Sequence, residues 1–260
     1  MQISTSFVQD KRHMSKSERF VPVQPSQIAE VLADHGLRLG HLLTSKARAP
    51  ERAHHQTSIA RYVADDSRDL ARVVGEGSTL DLLVRAPHLT GCIELRLGFF
   101  RGSCANQWNA GKLLEAVRIR HTGNCLETLS HAIPALVARR TELLGQIETM
   151  ASRDVTGAEL AELARRVADI RLGEVHEGFG REVRYSDLLT VRRSADSRSD
   201  LFSVANVLQE NALRFGVRYD LTHPEQSTRH MSTRRIVETT ASAVEMTGSI
   251  WEAASAILAA

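Results

Sequence analysis

An α+β fold is expected, a twisted mainly antiparallel sheet packed by helices with a helical C-terminal half, and a change of hydrophobic period predicts it. Between Leu37 and Arg120 apolar residues recur at alternate positions, the spacing of a strand with one buried and one wet face. From Asn124 onward the spacing becomes threes and fours, that of an amphipathic helix. A chain of 260 residues, 42% hydrophobic and 25% charged, can bury a substantial core as one large domain or two small ones.

Met1 to Ser15 lacks periodicity and is expected to be a flexible arm. Ser26 can cap a short helix carrying Ile28, Val31 and Leu32, and Gly36 supplies its left-handed stop. About five strands follow. Leu37, Leu39 and His41 alternate with Arg38 and Gly40, Thr57, Ile59, Arg61 and Val63 form a second and less regular run, and Leu80 to Val84 is a short apolar third. Ile93, Leu95 and Leu97 alternate with Glu94 and Arg96, and Val117 and Ile119 with Arg118 and Arg120. Gly102 to Ala105 reads as a tight turn between the last two. Asn124 is a plausible cap for a long helix bearing Leu126, Leu129, Ile133, Leu136, Val137 and Leu144, with Pro134 expected to kink or interrupt it. Thr156 and Glu159 have capping-box spacing ahead of Leu160, Leu163, Val167 and Ile170. Two more helices are expected, Asp200 to Phe215 before Gly216 and Thr233 to Leu258, with Val217 to Met231 as a loop. The expected organisation is thus an arm over 1–15, a strand-rich basic region over 16–124, and a helical region over 125–260 packed on it as one domain.

No apolar run approaches the ~20 residues that span a bilayer, and the polar N-terminus has no signal-peptide core, so a cytoplasmic protein is expected. Cys92, Cys104 and Cys125 are widely spaced without a C-x-x-C pair, which suits reduced thiols. The net charge is +2 but uneven: residues 1–124 hold 17 Lys and Arg against 12 Asp and Glu, the remainder 16 against 19. A basic excess in the strand-rich half points to a polyanion-facing surface.

The stretch Leu95 to Asn124 carries an F-R, a C-A-N and an arginine-bearing strand ending in H-x-G-N. In that order it resembles the phage- and plasmid-like family of unknown function typified by YafZ, YfjQ and YubP. Ser17-Glu18-Arg19-Phe20 and Ser45-Lys46-Ala47-Arg48 are similar to further family segments. So are Leu189 through Asp196 (L-x-x-R-R-x-A-D), Asp200-Leu201 with Gln209-Glu210-Asn211, Thr233-Arg234 and Trp251. The likeness runs over roughly residues 17–259. The family's N-S-H-D-G-S is replaced here by Arg85 to Gly91, of which only His88 matches.

Three basic sets are candidate phosphate contacts, because guanidinium forks match phosphate oxygens and stack on unpaired bases. Arg85, Arg96, Arg118 and Arg120 are expected on the wet sheet face, with Glu94 and Glu115 as offsetting acids. Lys46, Arg48, Arg52, His54, His55 and Arg61 are expected between the first two strands. Arg192, Arg193, Arg198, Arg229, Arg234 and Arg235 flank the Gln-Glu-Asn helix, where pairing with Asp196, Asp200 or Glu210 is the simpler reading. With Arg101 and His121 beside the C-A-N stretch, the candidate nucleic-acid contacts are Lys46, Arg48, Arg52, Arg61, Arg85, Arg96, Arg101, Arg118, Arg120 and His121. Cys104 with His121 or His88 could form a nucleophile and base only within hydrogen-bond reach. Neither His54-His55 nor His223 with His230 has metal-ligand spacing, and no Walker loop, G-x-G-x-x-G or H-E-x-x-H is present. No catalytic residue, metal or cofactor is expected, and the chain is not expected to be an enzyme.

The reading is a nucleic-acid-binding protein of a phage or plasmid, preferring single-stranded DNA, acting in strand annealing or DNA protection as a homo-oligomer, with no membrane partner. By element order alone it is similar to the RecT, Redβ and Erf annealing proteins. The alternative is an anti-defence protein that inhibits a host complex by direct binding through the helical half, whose acidic balance and apolar Ile250, Trp251 and Ile257 suit such a contact and equally suit an ordinary core. The late stripe Ile250, Trp251, Ala254, Ile257 and Leu258 is the candidate contact for self-association, or packs on its own domain.

Overall fold

The computed structural model describes residues 19–44, 57–64, 79–87, 92–101, 104–109, 117–175, 177–223, 225–236 and 241–259. The fold is mixed α+β, and the chain divides into two compact units. Unit 1 comprises residues 1–72, 76–103 and 114–144, and unit 2 comprises 73–75, 104–113 and 145–260. The expected arm over 1–15 lies outside the described residues.

Unit 1 opens with α1 (Pro25–Ala33). Ser26, the expected cap, lies inside its first turn. Proline has no N–H to lose and its φ suits the first helical position, so the helix starts at Pro25. Gln24 caps it through a reciprocal pair with Gln27, whose Oε1 accepts from the Gln24 N–H at 2.9 Å. Gly36 ends the segment at φ 74°.

The expected strands are β1 (Leu37–Thr44), β2 (Thr57–Ala64), β3 (Thr79–Pro87), β4 (Cys92–Arg101) and, after the unforeseen β5 (Cys104–Asn109), β6 (Val117–Arg120). β1, β2, β3 and β4 pair antiparallel in that order, and β6 pairs antiparallel with β4. Residues 104–109, expected to begin in a turn, are strand and belong to unit 2. A bulge between Leu39 and His41 shifts the β1 register. Gly40 sits in it, where a Cβ would come within 2.7 Å of Val63 Cγ2. One face of the sheet is apolar and buried, with Tyr62, Leu80, Leu82, Val84, Ile93, Leu95, Leu97 and Ile119. Burial pushes the Tyr62 hydroxyl up to about 12.

Helix α2 (Cys125–Ser152) presents Cys125, Leu129, Ile133, Leu136, Arg140 and Leu143 as its buried stripe. Arg140 Nε donates to the Leu80 carbonyl at 2.9 Å, and His35 Nε2 meets Ser130 Oγ at 3.1 Å, which fastens the helix to β3 and to the end of α1. The helix is not interrupted at Pro134, which lies inside it and is exposed. The division into units falls within α2, between Leu144 and Gly145, instead of at residue 124.

Unit 2 contains α3 (Gly157–Leu172), capped by the expected Thr156 and Glu159 pair and closed at Gly173 with φ 70°. β7 (Gly180–Val183) and α4 (Tyr185–Leu189) follow. Next come α5 (Leu201–Glu210), with a π turn at Asn211–Phe215, then β8 (Arg218–His223), β9 (Gln226–Ser232) and α6 (Ala241–Leu258). The segment expected as a loop is therefore a hairpin, joined by β7 into a three-stranded antiparallel sheet. Every β9 residue is exposed, so no apolar period marks it as a strand. Helix α5 is enclosed nearly all round, and α6 packs on α3 and α5. Ile250, Trp251, Ala254 and Ile257 lie in that core, so the late apolar stripe is packing inside its own unit and not a free contact surface. No helix among the described residues is long and apolar enough to cross a membrane.

Candidate nucleic-acid interface

A strand's alternation puts Arg96 and Glu94 opposite Leu95 and Leu97, and Arg118 and Arg120 opposite Ile119. Strand register then gathers them. Glu94 stands opposite Arg85 on β3 and opposite Arg118 on β6, so one carboxylate lies between two cross-strand guanidinium groups. Arg85 Nη1 and Arg118 Nε each approach it at 3.3 Å, and Arg96 Nη2, two residues along β4, at 3.7 Å. Arg120 stands opposite Cys92 on the same face, exposed.

The register continues across the sheet. Arg96 is opposite Leu83, Leu83 opposite Arg61, Arg61 opposite His41, and Arg38 opposite Val63. Among the described residues this face carries six arginines (38, 61, 85, 96, 118 and 120) against two carboxylates, Asp81 and Glu94. The cations do not contribute equally. Asp81 is buried and engaged by Arg61 Nε, while Arg61 Nη2 donates to Thr79 Oγ1 at 2.7 Å. Burial raises the Asp81 carboxyl above its ordinary range, against the Thr79 and Arg61 hydrogen bonds that lower it. Arg61 lies within β2, where the second alternating run put it and not in the connection to β1, and its charge is matched locally. Around Glu94, three guanidinium groups share one carboxylate, which leaves a surplus that Arg120 extends.

His121 is corrected. Its ring is 2% exposed and lies against Phe20, centroids 5.0 Å apart, while its carbonyl accepts from the Val21 N–H at 2.9 Å, so it is a core residue out of reach of a polyanion. Arg101 ends β4, but its side chain lies outside the described residues, as do Lys46, Arg48, Arg52, His54, His55, His88 and Glu115. Cys104 is in β5 with its side chain likewise outside them. Cys125 is a buried free thiol that burial pushes up. Among the described residues no group of three or more His, Cys, Asp or Glu could hold a metal.

In unit 2 the simpler reading of the third basic set holds for two members. Arg193 donates to both oxygens of the buried Glu210, the shorter contact being 2.6 Å, and Arg198 pairs with Asp200 at 3.0 Å. Arg192 Nε instead donates to Asn211 Oδ1 at 2.7 Å. Asn211 Nδ2 in turn donates to the Leu188 and Thr190 carbonyls at 2.8 and 2.9 Å. The paired Arg-Arg and Glu-Asn therefore clamp the 188–193 segment to α5, a partnership that the sequence spacing alone did not reveal.

The family model described as "Domain of unknown function (DUF932)" matches residues 12–251. UPF0380 protein YfjQ of Escherichia coli (strain K12) is 24% identical over 222 residues, covering 83% of this chain and 75% of that protein. UPF0380 protein YafZ of the same organism is 23% identical over 215 residues, with the same coverage. No solved structure matches the chain significantly.

Proposed function

We propose that this chain, which belongs to the DUF932 family, is a nucleic-acid-binding protein whose contact surface is the basic face of the unit 1 sheet and whose preferred ligand is single-stranded DNA. A cytoplasmic role on phage or plasmid DNA, in annealing or protection, fits that reading. The observation that carries it is the sharing of Glu94 by Arg85, Arg96 and Arg118 beside the exposed Arg120. A single carboxylate orients three guanidinium groups across neighbouring strands without neutralising them, so a strand of phosphates can replace it as their counter-charge. The strands hold the cations on a rigid frame, which reduces the ordering that binding requires. The anti-defence alternative has less support, because the apolar residues that suggested it, Ile250, Trp251 and Ile257, are enclosed in unit 2.

The test is a fluorescence-anisotropy titration of the full chain with a labelled oligothymidine and a duplex of equal length across a salt series. The triple variant R96Q/R118Q/R120Q should lower the logarithmic salt slope by about 2.7 for the duplex and about 2 for the single strand. A folded triple variant with unchanged affinity and slope would remove the proposal.

A further inference from the structure

We propose that Arg192 and Phe215 in unit 2 form a platform on which an unpaired nucleobase stacks. The inference rests on the nucleic-acid reading above and supplies a physical source for its single-strand preference. Phe215 is 52% exposed at the end of the π turn, and Val191, beside Arg192 in the chain, is equally exposed. An aromatic ring left this open forgoes about half of its burial, on the order of 1 kcal/mol. The ring is not bare, however: the Arg192 guanidinium carbon lies 3.7 Å from its centroid. That guanidinium is held in place, because its Nε donates to Asn211 Oδ1, and Asn211 is buried with both amide hydrogens committed to backbone carbonyls. A planar cation and a ring are thus pre-assembled at the surface, and a third planar group can add to the stack without ordering them first. Phosphate attraction is also present: Arg193 and Arg214 share the single carboxylate of Glu210, at 2.6 and 3.6 Å, while Arg192 binds the neutral amide of Asn211 and keeps its charge. A base in a duplex already has both faces covered, so only an unpaired base can use the platform.

The full chain is titrated with labelled oligothymidine and with duplex, as wild type, F215L and F215Y, after circular dichroism has checked folding. F215L keeps apolar bulk and removes the π face. It should weaken single-strand binding by about 5-fold to 100-fold, leave duplex binding unchanged, and be rescued by F215Y. Wild type photo-crosslinked to an iododeoxyuridine-bearing strand should yield a linked peptide containing Phe215, a readout independent of any variant's folding. If F215L binds like wild type, or weakens both ligands equally, or the crosslink maps elsewhere, the platform is refuted while the sheet-face interface stands. If wild type binds neither oligonucleotide, both proposals fall, and an apolar protein segment becomes the occupant to seek at Val191 and Phe215.

Discussion

Glu94 is the residue whose removal separates a structural ion-pair cluster from a binding surface. It is 13% exposed and carries no backbone role beyond its strand, so Glu94→Gln keeps the side-chain shape while releasing Arg85, Arg96 and Arg118 from their carboxylate. If the face serves polyanions, the variant should bind oligothymidine several-fold tighter at low salt, with the gain shrinking as salt screens the exposed charges. Weaker binding would mean that Glu94 is needed to aim the arginines; an unchanged titration would mean that this face is not the contact. The alternation of Ile93, Leu95 and Leu97 made the wet side of β4 readable from the sequence. The convergence on Glu94 was not readable, because Arg85 and Arg118 reach it only through the register of two other strands. His121 shows the opposite case: a histidine following two arginines looks accessible, yet the chain turns it under Phe20.

At the scale of elements, α2 carries an internal proline on its water side. Pro134 cannot donate to the carbonyl four residues back, and its ring crowds that turn, a defect that normally costs ~3 kcal/mol in a helix interior. The helix persists because Leu129, Ile133, Leu136 and Leu143 are anchored on either side of the defect and Arg140 is bonded to Leu80. Pro134→Ala should therefore stabilise the protein by about 1–3 kcal/mol, seen as a higher urea midpoint with an unchanged slope. A fall in the midpoint would show that the surrounding packing depends on the proline. Gly216 marks a second element-level constraint, since at φ 78° its Cβ would lie 2.4 Å from the Thr233 carbonyl oxygen, where β8 begins. The stop after α5 was legible from that glycine. The hairpin beyond it was not, because β9 gains its structure from backbone pairing with β8 and buries none of its side chains.

At the scale of the whole molecule, the two units answer acid in opposite directions. In unit 2 the Arg218 hydrogen bonds hold Asp187 below its ordinary range, Thr156 and Arg153 do the same for Glu159, and Arg165 and Arg166 bring Glu162 down to about 2. A carboxylate depressed in the folded state stabilises it above the ordinary value, and that contribution is lost as the pH falls through the folded value. In unit 1 Asp81 is raised by burial, so its ionised form penalises folding and protonation relieves the penalty. As the pH falls from the ordinary glutamate value of 4.5 toward about 2, unit 2 should thus lose stability, whereas the relief at Asp81 begins above its ordinary value of 3.8 and is complete below it, leaving unit 1 without that loss. Hydrogen exchange followed by mass spectrometry at stepwise lower pH should show protection failing first between α3 and β9. Earlier loss in β2 to β4 would contradict this.

The sequence by itself determined which residues form helices and strands in the amphipathic elements and which side of each is apolar. Those properties are written in neighbouring residues through the strand and helix periods, and burying the polar side instead would strand charges away from water. It also placed Arg96, Arg118 and Arg120 on the wet side of their strands. Only the tertiary structure decided that one glutamate serves three arginines, that His121 and the late apolar stripe are core, that Arg192 is pinned by Asn211 over Phe215, and that the long helix contains the division between units. Each of those depends on residues far apart in the chain, brought together by strand register and helix packing, and no local period records which distant partner a side chain will meet.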